Sequence, residues 1–510
     1  MFFSAVKMSA KLIMEKLKVQ WVQFCSNTSL HGWKFCVLSP TKLGRIFWLT
    51  ICFAALVTAL SLLLAAWYIF QEMPVVTVAE STQHFIYNYP FPAVTICNYN
   101  KVSKQAAFTL GAKLASKTNI STEQAAESFK SLIHTLNHHH HNVDKEKANI
   151  LEELLRLNNK TIDEVFLAIS PSCSSLLKRC LWKGDERRCN KMFSQIKTAN
   201  GYCCSFNYVQ PKDKAKHYVT PKRTSSTGLQ SALEVLIDSN QDDYFAAEIP
   251  SIGYRVLIHG TYNFPSADID NIFCARRSNA LIGVTPTTTV ASSGLRRIPL
   301  DQRNCLFSDE RHLTYFHIQN FHNCMVENKL KSIYRKCGCM PFYAPKIEAK
   351  VRLCTPMDAS CVANHEDIVE KRDEAVQNLN CVEDCESTFY KASAYQGTLE
   401  ARYTTRFNTY NATAIENFTV IRVYFEDLYQ ELYRREIIFT WYTILAYYGG
   451  IMGLFTGFSF ISLVEIVYFF TIKLCASVRV KSVTLRQVQP QNNFKGQRNK
   501  TKMIKHINKY

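Results

Sequence analysis

Hydrophobic and polar positions divide this chain into three regimes. From Ile46 to Phe70 run 25 residues without a charge. A membrane helix needs about 20, so this stretch predicts one crossing. A second apolar stretch, Ile437 to Ile472, is 36 residues long and interrupted only by Glu465. That is too long for one straight crossing, and a tilted or broken helix is expected. Between them lies the pattern of a folded, water-facing domain. Phe91–Cys97 reads as a strand entry pinned by proline. Residues 101–200 read as helical, with Ile150, Leu151, Leu154, Leu155 and Leu157 striping a charged helix that starts near Asp144. Residues 201–320 read as strands, among them Ala232–Ile237, Tyr254–Ile258 and Leu313–Ile318. Residues 321–385 read as helical, and Phe418–Phe425 alternates as a strand should. The expected layout is a cytoplasmic arm (1–45), a span (46–70), an extracellular domain (71–436), a second span (437–472) and a tail (473–510).

Charge fixes the orientation. Residues 1–45 carry a net +6 and residues 473–510 a net +10, out of +18 in all. The positive-inside bias puts both ends in the cytoplasm, giving a multi-pass plasma-membrane protein. Met1–Leu43 lacks the order of regions in a secretory leader, so the first span is expected to act as targeting signal too. Beside a span, a basic tail suits anionic membrane lipid and not nucleic acid, and topology alone also accounts for it.

The middle block holds 15 of the 19 cysteines, as a disulfide-bonded domain in an oxidising compartment does. No Cys/His quartet has metal-ligand spacing, so no metal or cofactor is expected. Sequons at Asn119, Asn159, Asn411 and Asn417 fall in the same block. Four histidines between Asn137 and Asn142 read as a solvated loop, with metal binding or pH sensing as the sharper alternative.

The second span carries the chemistry. It contains Gly449, Gly450, Gly453, Gly457, Ser459 and Glu465, and a plain anchor gains nothing from four glycines and an acid. Backbone that leaves a helix at membrane depth is tolerated only against protein or a water-filled cavity. A carboxylate within a span marks an ion pathway. The plain alternative is close helix packing through Gly449-xxx-Gly453.

In order, His31-Gly32, Phe91-Pro-Ala-Val-Thr-Ile-Cys-Asn98, Gly201-Tyr-Cys-Cys-Ser-Phe-Asn207, Gln241-Asp-Asp-Tyr244, the cysteine cluster and Gly457-Phe458-Ser459 with Glu465 resemble the degenerin/epithelial sodium channel family, and its pickpocket-like insect members in particular. The resemblance covers nearly all of residues 29–473. It implies an α+β membrane protein with two transmembrane helices and a disulfide-rich extracellular domain of palm, thumb, finger, knuckle and β-ball. It also implies assembly of same-family subunits into a trimer, sodium conduction and block by amiloride-type compounds.

The resemblance assigns roles residue by residue. Gly457, Phe458 and Ser459 match the selectivity segment, where carbonyls and a hydroxyl replace part of an ion's hydration shell. Phe458 departs from the small middle residue of acid-sensing members. Three copies of Glu465 would form an acidic ring near the inner mouth. His31 and Gly32 match the gating motif, Ala446 falls at the degenerin position, and Gly449 and Gly450 follow it. The implied disulfides are Cys97–Cys203, Cys180–Cys189, Cys305–Cys385, Cys324–Cys381, Cys337–Cys361 and Cys339–Cys354. Cys173 and Cys204 are extra and free to pair, and Cys274 is left over. One thumb rung is lost, at Asn328 and Leu379. Asp242-Asp243 matches a paired carboxylate of acid-sensing members, but the facing Lys346–Arg352 segment is basic, so proton gating is not expected.

The expected function is a subunit of a sodium-selective channel gated through its extracellular domain. The alternative is a two-span adhesion or scavenger receptor without a pore. No catalytic residues are assigned: nucleophile elbow, HExxH and phosphate-loop patterns are absent, so enzyme chemistry is not expected.

Overall fold

In the computed structural model the chain divides into two compact units, Val75–Ile437 and the remainder, Met1–Pro74 with Ile438–Tyr510. The structure describes residues 17–476 except 73, 137–142, 210–219, 267–268, 270, 317, 346–350, 365–380, 401–416, 439 and 475.

The Val75–Ile437 unit is a mixed α+β domain built on two sheets. The larger has eight strands and is organised by the long strand Ser278–Ala291. That strand pairs antiparallel with Ser387–Thr398 along its length. On its other edge it pairs in parallel first with Phe418–Phe425 and then with Tyr429–Ile437. Val75–Phe85 closes that side against Tyr429–Ile437. Leu233–Asp238 pairs with Phe418–Phe425, and Leu177–Trp182 and Asp185–Arg187 continue the sheet outward. The second sheet is five antiparallel strands with Ala93–Asn98 at its centre, every residue of which is buried. A strand covered on both faces reads as a continuous apolar run, which is how Phe91–Cys97 reads. Phe91, Ile96, Phe206, Val235, Ile282, Val423 and Phe425 form one core.

A helical layer packs a second core of Phe129, Leu132, Leu151, Leu154, Phe166, Leu330 and Phe342. Asp144 caps the Lys145–Leu157 helix by accepting from the Lys147 N–H. Of the apolar stripe, Leu151, Leu154 and Leu155 are buried, whereas Leu157 is exposed. Beneath this core, Glu248 sits between Lys101 (3.0 Å) and Arg255 (2.9 Å), with both the Lys101 and Glu248 side chains buried. A buried carboxylate persists in this way only when paired.

Among the described residues seven disulfides join Cys97–Cys203, Cys173–Cys204, Cys180–Cys189, Cys305–Cys385, Cys324–Cys381, Cys337–Cys361 and Cys339–Cys354. Cys274 is a free, buried thiol, and burial pushes its pKa up to about 12. The Asn328 amide donates to Cys381 Sγ (3.0 Å); Leu379 lies outside the described residues. Asn119, Asn159 and Asn417 are exposed, while Asn411 and the histidine tract lie outside the described residues.

Three readings need correction. Residues 321–385 are not helical throughout: the first helix ends at Cys337, residues 338–345 and 351–355 are not helical, and Glu383–Asp384 is a strand. Residues 101–200 are not helical throughout: Leu177–Trp182, Asp185–Arg187 and Phe193–Thr198 are strands. The first two form a hairpin turned by Lys183 and Gly184, both at positive φ. Leu313–Ile318 joins no strand ladder among its described residues. The buried Glu327 carboxylate captures the Thr314 and Tyr315 N–H groups at 3.0 and 2.9 Å, so they are not free for a ladder.

In the other unit, Lys42–Glu72 is a single 31-residue helix, long and apolar enough to cross a membrane. The second apolar stretch starts later than its composition suggests, because Ile437 still pairs with Val75 as a strand. It forms two half-helices, Trp441–Thr456 and Phe460–Val467, the second running on in π-helical turns to Lys473. The bend between them is 68°, and together they have the length and composition of one broken span.

Candidate pore and gating site

The break in the second stretch is written in three residues. Gly457 ends the first half-helix in the left-handed conformation (φ 68°), which glycine adopts without steric cost. Its N–H still reaches the Gly453 carbonyl (2.9 Å), and the Phe458 N–H reaches Met452 (3.3 Å). Ser459 then starts the second half-helix as its N-cap. Ser459 Oγ accepts from the Ser462 N–H, and Ser462 Oγ accepts from the Ser459 N–H, each at 3.2 Å. Such reciprocal capping satisfies donors that a broken helix leaves exposed.

The N-terminal arm lies against this break. Residues 17–27 are helical, and Trp21 and Phe24 pack on Phe469 and Phe470 with ring centroids 5.4–6.2 Å apart. The chain after this helix makes a ladder of polar contacts. Thr28 Oγ1 donates to Glu465 Oε2 (3.2 Å), Ser29 Oγ bonds Ser462 Oγ (3.0 Å), and the His31 N–H donates to the Thr456 carbonyl (3.0 Å). His31 therefore sits directly under the break. A Cβ built on Gly457 would meet the His31 ring at 2.6–2.9 Å.

Gly32 is also left-handed (φ 79°), and a Cβ there would meet Cys52 Sγ at 2.6 Å. From Gly32 the chain enters the short Trp33–Leu38 helix, which the Phe35–Trp48 stack (4.7 Å) pins to the first span. Arm, first span and first half-helix line an open cavity of about 210 Å³ whose walls include His31, Gly32, Trp33, Trp48, Cys52, Met452, Phe455 and Phe458.

The residues singled out from sequence thus fall into two groups. His31, Gly32, Gly457, Phe458, Ser459 and Glu465 come together around the break. Ala446, Gly449 and Gly450 lie on an exposed part of the first half-helix, where a Cβ at either glycine meets nothing within 4 Å. Asp242 and Asp243 belong to the other unit, where Asp243 Oδ1 accepts the Gln105 N–H (2.9 Å). Lys346–Lys350 lie outside the described residues.

Sequence reading missed Thr28, Ser29, Thr456 and Ser462. The serines at 459 and 462 carry the capping spacing, a signal available in advance. The other contacts join positions more than 400 residues apart. Among the described residues no cluster of His, Cys, Asp and Glu could hold a metal ion.

A family model described as "Amiloride-sensitive sodium channel" matches residues 24–469, from the arm through the second half-helix. The chain belongs to the amiloride-sensitive sodium channel family. It is 26% identical to the sodium channel protein Nach of Drosophila melanogaster, over 92% of this chain and 90% of that protein. It is 23% identical to pickpocket protein 28 of the same organism, over 93% of this chain and 82% of that one. It is also 25% identical to the bile acid-sensitive ion channel of Mus musculus, over 88% and 87%. The family is one of membrane ion channels, not enzymes. A pore-less receptor finds no support among these relatives.

Proposed function

We propose that this chain is a subunit of a trimeric, sodium-selective channel of the plasma membrane, gated through its extracellular domain, with both termini cytoplasmic. Residues 71–436 then form the palm, thumb, finger, knuckle and β-ball of the family, and amiloride-type compounds block the pore.

The observation that carries this reading is the break at Gly457–Ser459 inside an otherwise apolar stretch, braced from below by the His31-Gly32 arm. An anchor has no use for a break. Non-helical backbone is tolerated at membrane depth where it lines a water-filled path. With three chains around an axis, the free carbonyls near Gly457 and the capped Ser459 face one another at a constriction. There they replace part of the hydration shell of a sodium ion. Glu465, held by Thr28, supplies one carboxylate per chain below that constriction and concentrates cations. Ala446, Gly449 and Gly450 give the first half-helices a small-residue face for mutual contact. Because Thr28, Ser29 and His31 bind both half-helices, movement of the arm moves the break. The relatives named as a sodium channel and as a bile acid-sensitive ion channel support conduction and ligand control respectively.

Expression in oocytes with two-electrode recording tests this. Sodium-carried, amiloride-blocked current is expected. Glu465→Ala should lower conductance, and substitutions of Ser459 should shift the reversal potential, at matched surface expression.

A further inference from the structure

Two thiols stand against the gating motif, and neither has a part in the pore reading. Cys36, on the short arm helix, and Cys52, on the first span, are both free and half-buried. Their sulfurs are 3.9 Å apart. Each is also placed to donate to a backbone carbonyl of the His31-Gly32 pair: Cys36 Sγ to Gly32 O (3.5 Å) and Cys52 Sγ to His31 O (3.6 Å). The Phe35–Trp48 stack holds the two elements in this register. Cys52 also lines the cavity of about 210 Å³ beside the pair.

We propose that Cys36 and Cys52 form a redox modification site, a dithiol that a peroxide converts to a disulfide, tying the gating arm to the first span. The pair rests on the topology above in one respect: a cytoplasmic arm keeps its thiols reduced until an oxidant arrives. Cys36, on the short arm helix and outside the span, attacks as thiolate on a peroxide oxygen. Its sulfur gains hydroxyl, the O–O bond breaks, and the released hydroxide takes up a proton to leave as water. Cys52 loses its proton and attacks the Cys36 sulfur. The S–S bond forms, the S–O bond breaks, and a second water departs. Two thiols lose two electrons in total and one peroxide gains them.

The consequence for gating follows from the hydrogen bonds. Oxidation deletes both S–H donors to the His31 and Gly32 carbonyls and replaces a separable contact with a covalent one. The loop that holds Thr456 under the break then loses its freedom to move relative to the first span. Channel opening, which needs that freedom, is suppressed.

The test uses the full chain in cell membranes, exposed to hydrogen peroxide and then to dithiothreitol. Non-reducing peptide mapping of the peroxide-treated protein should find Cys36 joined to Cys52. In inside-out patches the sodium current should fall by about 5-fold or more, the lower range of allosteric coupling, and recover in dithiothreitol. Cys36→Ser and Cys52→Ser should each abolish the response, measured against each variant's own starting current. Serine keeps a hydroxyl donor for the carbonyl. Mapping that finds both thiols free, or joined elsewhere, overturns the site. A full peroxide response in both serine variants overturns its role in gating. Mapping needs no current, so a silent protein that still forms the Cys36–Cys52 bond supports the site and counts against the channel reading instead.

Discussion

Gly457→Ala attacks the break where the geometry is tightest. The residue is left-handed, and an L-residue with a Cβ pays about 1–2 kcal/mol for that conformation. The new methyl also lands 2.6 Å from His31 Cδ2 and 2.9 Å from Cγ and Nε2, closer than van der Waals contact. Overpacking of this kind costs about 1–3 kcal/mol. Displacing the ring puts the 3.0 Å bond from the His31 N–H to Thr456 at risk, worth about 1 kcal/mol more. The arm-docked state therefore loses about 3–6 kcal/mol in total, enough to undock it in most molecules. Because two of the three terms depend on the imidazole, His31→Ala should rescue part of the loss. In a double-mutant cycle read by surface-normalised sodium current, the two changes should couple by about 2–4 kcal/mol, with the strain of the left-handed backbone remaining in the double variant. Purely additive effects of Gly457→Ala and His31→Ala would show that the imidazole does not sit under the break, and the arm-to-pore geometry would fall with it.

Three further outcomes follow from other parts of the molecule. Ala446→Val should produce standing sodium current without stimulus, because a bulkier side chain on the small-residue face penalises the closed state by about 1–3 kcal/mol; a silent variant that a stimulus still opens would remove Ala446 from the gate. Removing the Cys324–Cys381 bridge, which closes a loop with a sequence separation of 57, should destabilise the protein by about 4 kcal/mol on loop entropy, read as a fall in unfolding temperature of the detergent-purified chain. Asp384 accepts the Phe321 N–H at 2.8 Å, and burial raises its pKa from 3.8 to about 6. A carboxyl with a raised native pKa binds its proton more tightly folded than unfolded, so its contribution to stability grows as pH falls through about 6 and levels off below about 4. The difference in thermal stability between the parent and Asp384→Asn should move in that direction over that window, and a flat difference would contradict the assignment.

What the sequence made legible depended on how local the physics was. Phe418–Phe425 alternates because one of its faces is core, and its bounds could be read directly. Asp144 announces its helix because capping involves neighbours in the chain. Leu313–Ile318 misled because its apolar alternation was real while its backbone donors were claimed by Glu327, on another element. Six cysteine pairs were implied only through the family's order, since spacing alone leaves many connectivities open, and Cys173 and Cys204 stood outside that order. For the site, glycine and serine in an apolar stretch marked the break, whereas the arm's place beneath it was not visible. Thr28 and Glu465 are 437 residues apart, and nothing local to either one names the other. The thiols at 36 and 52 escaped for the same reason: each is ordinary alone, and only the fold sets them 3.9 Å apart.

We propose that the Gly457–Ser459 break and Glu465 form the path of a sodium-conducting pore. The most direct test of this is the reversal potential and single-channel conductance of the parent, of Ser459 substitutions and of Glu465→Ala at matched surface expression, under sodium and then potassium gradients. A sodium-selective, amiloride-blocked current is expected, with a shifted reversal potential in the Ser459 variants and a reduced unitary conductance in Glu465→Ala. Unchanged reversal potential and unchanged conductance across all of these variants would contradict it.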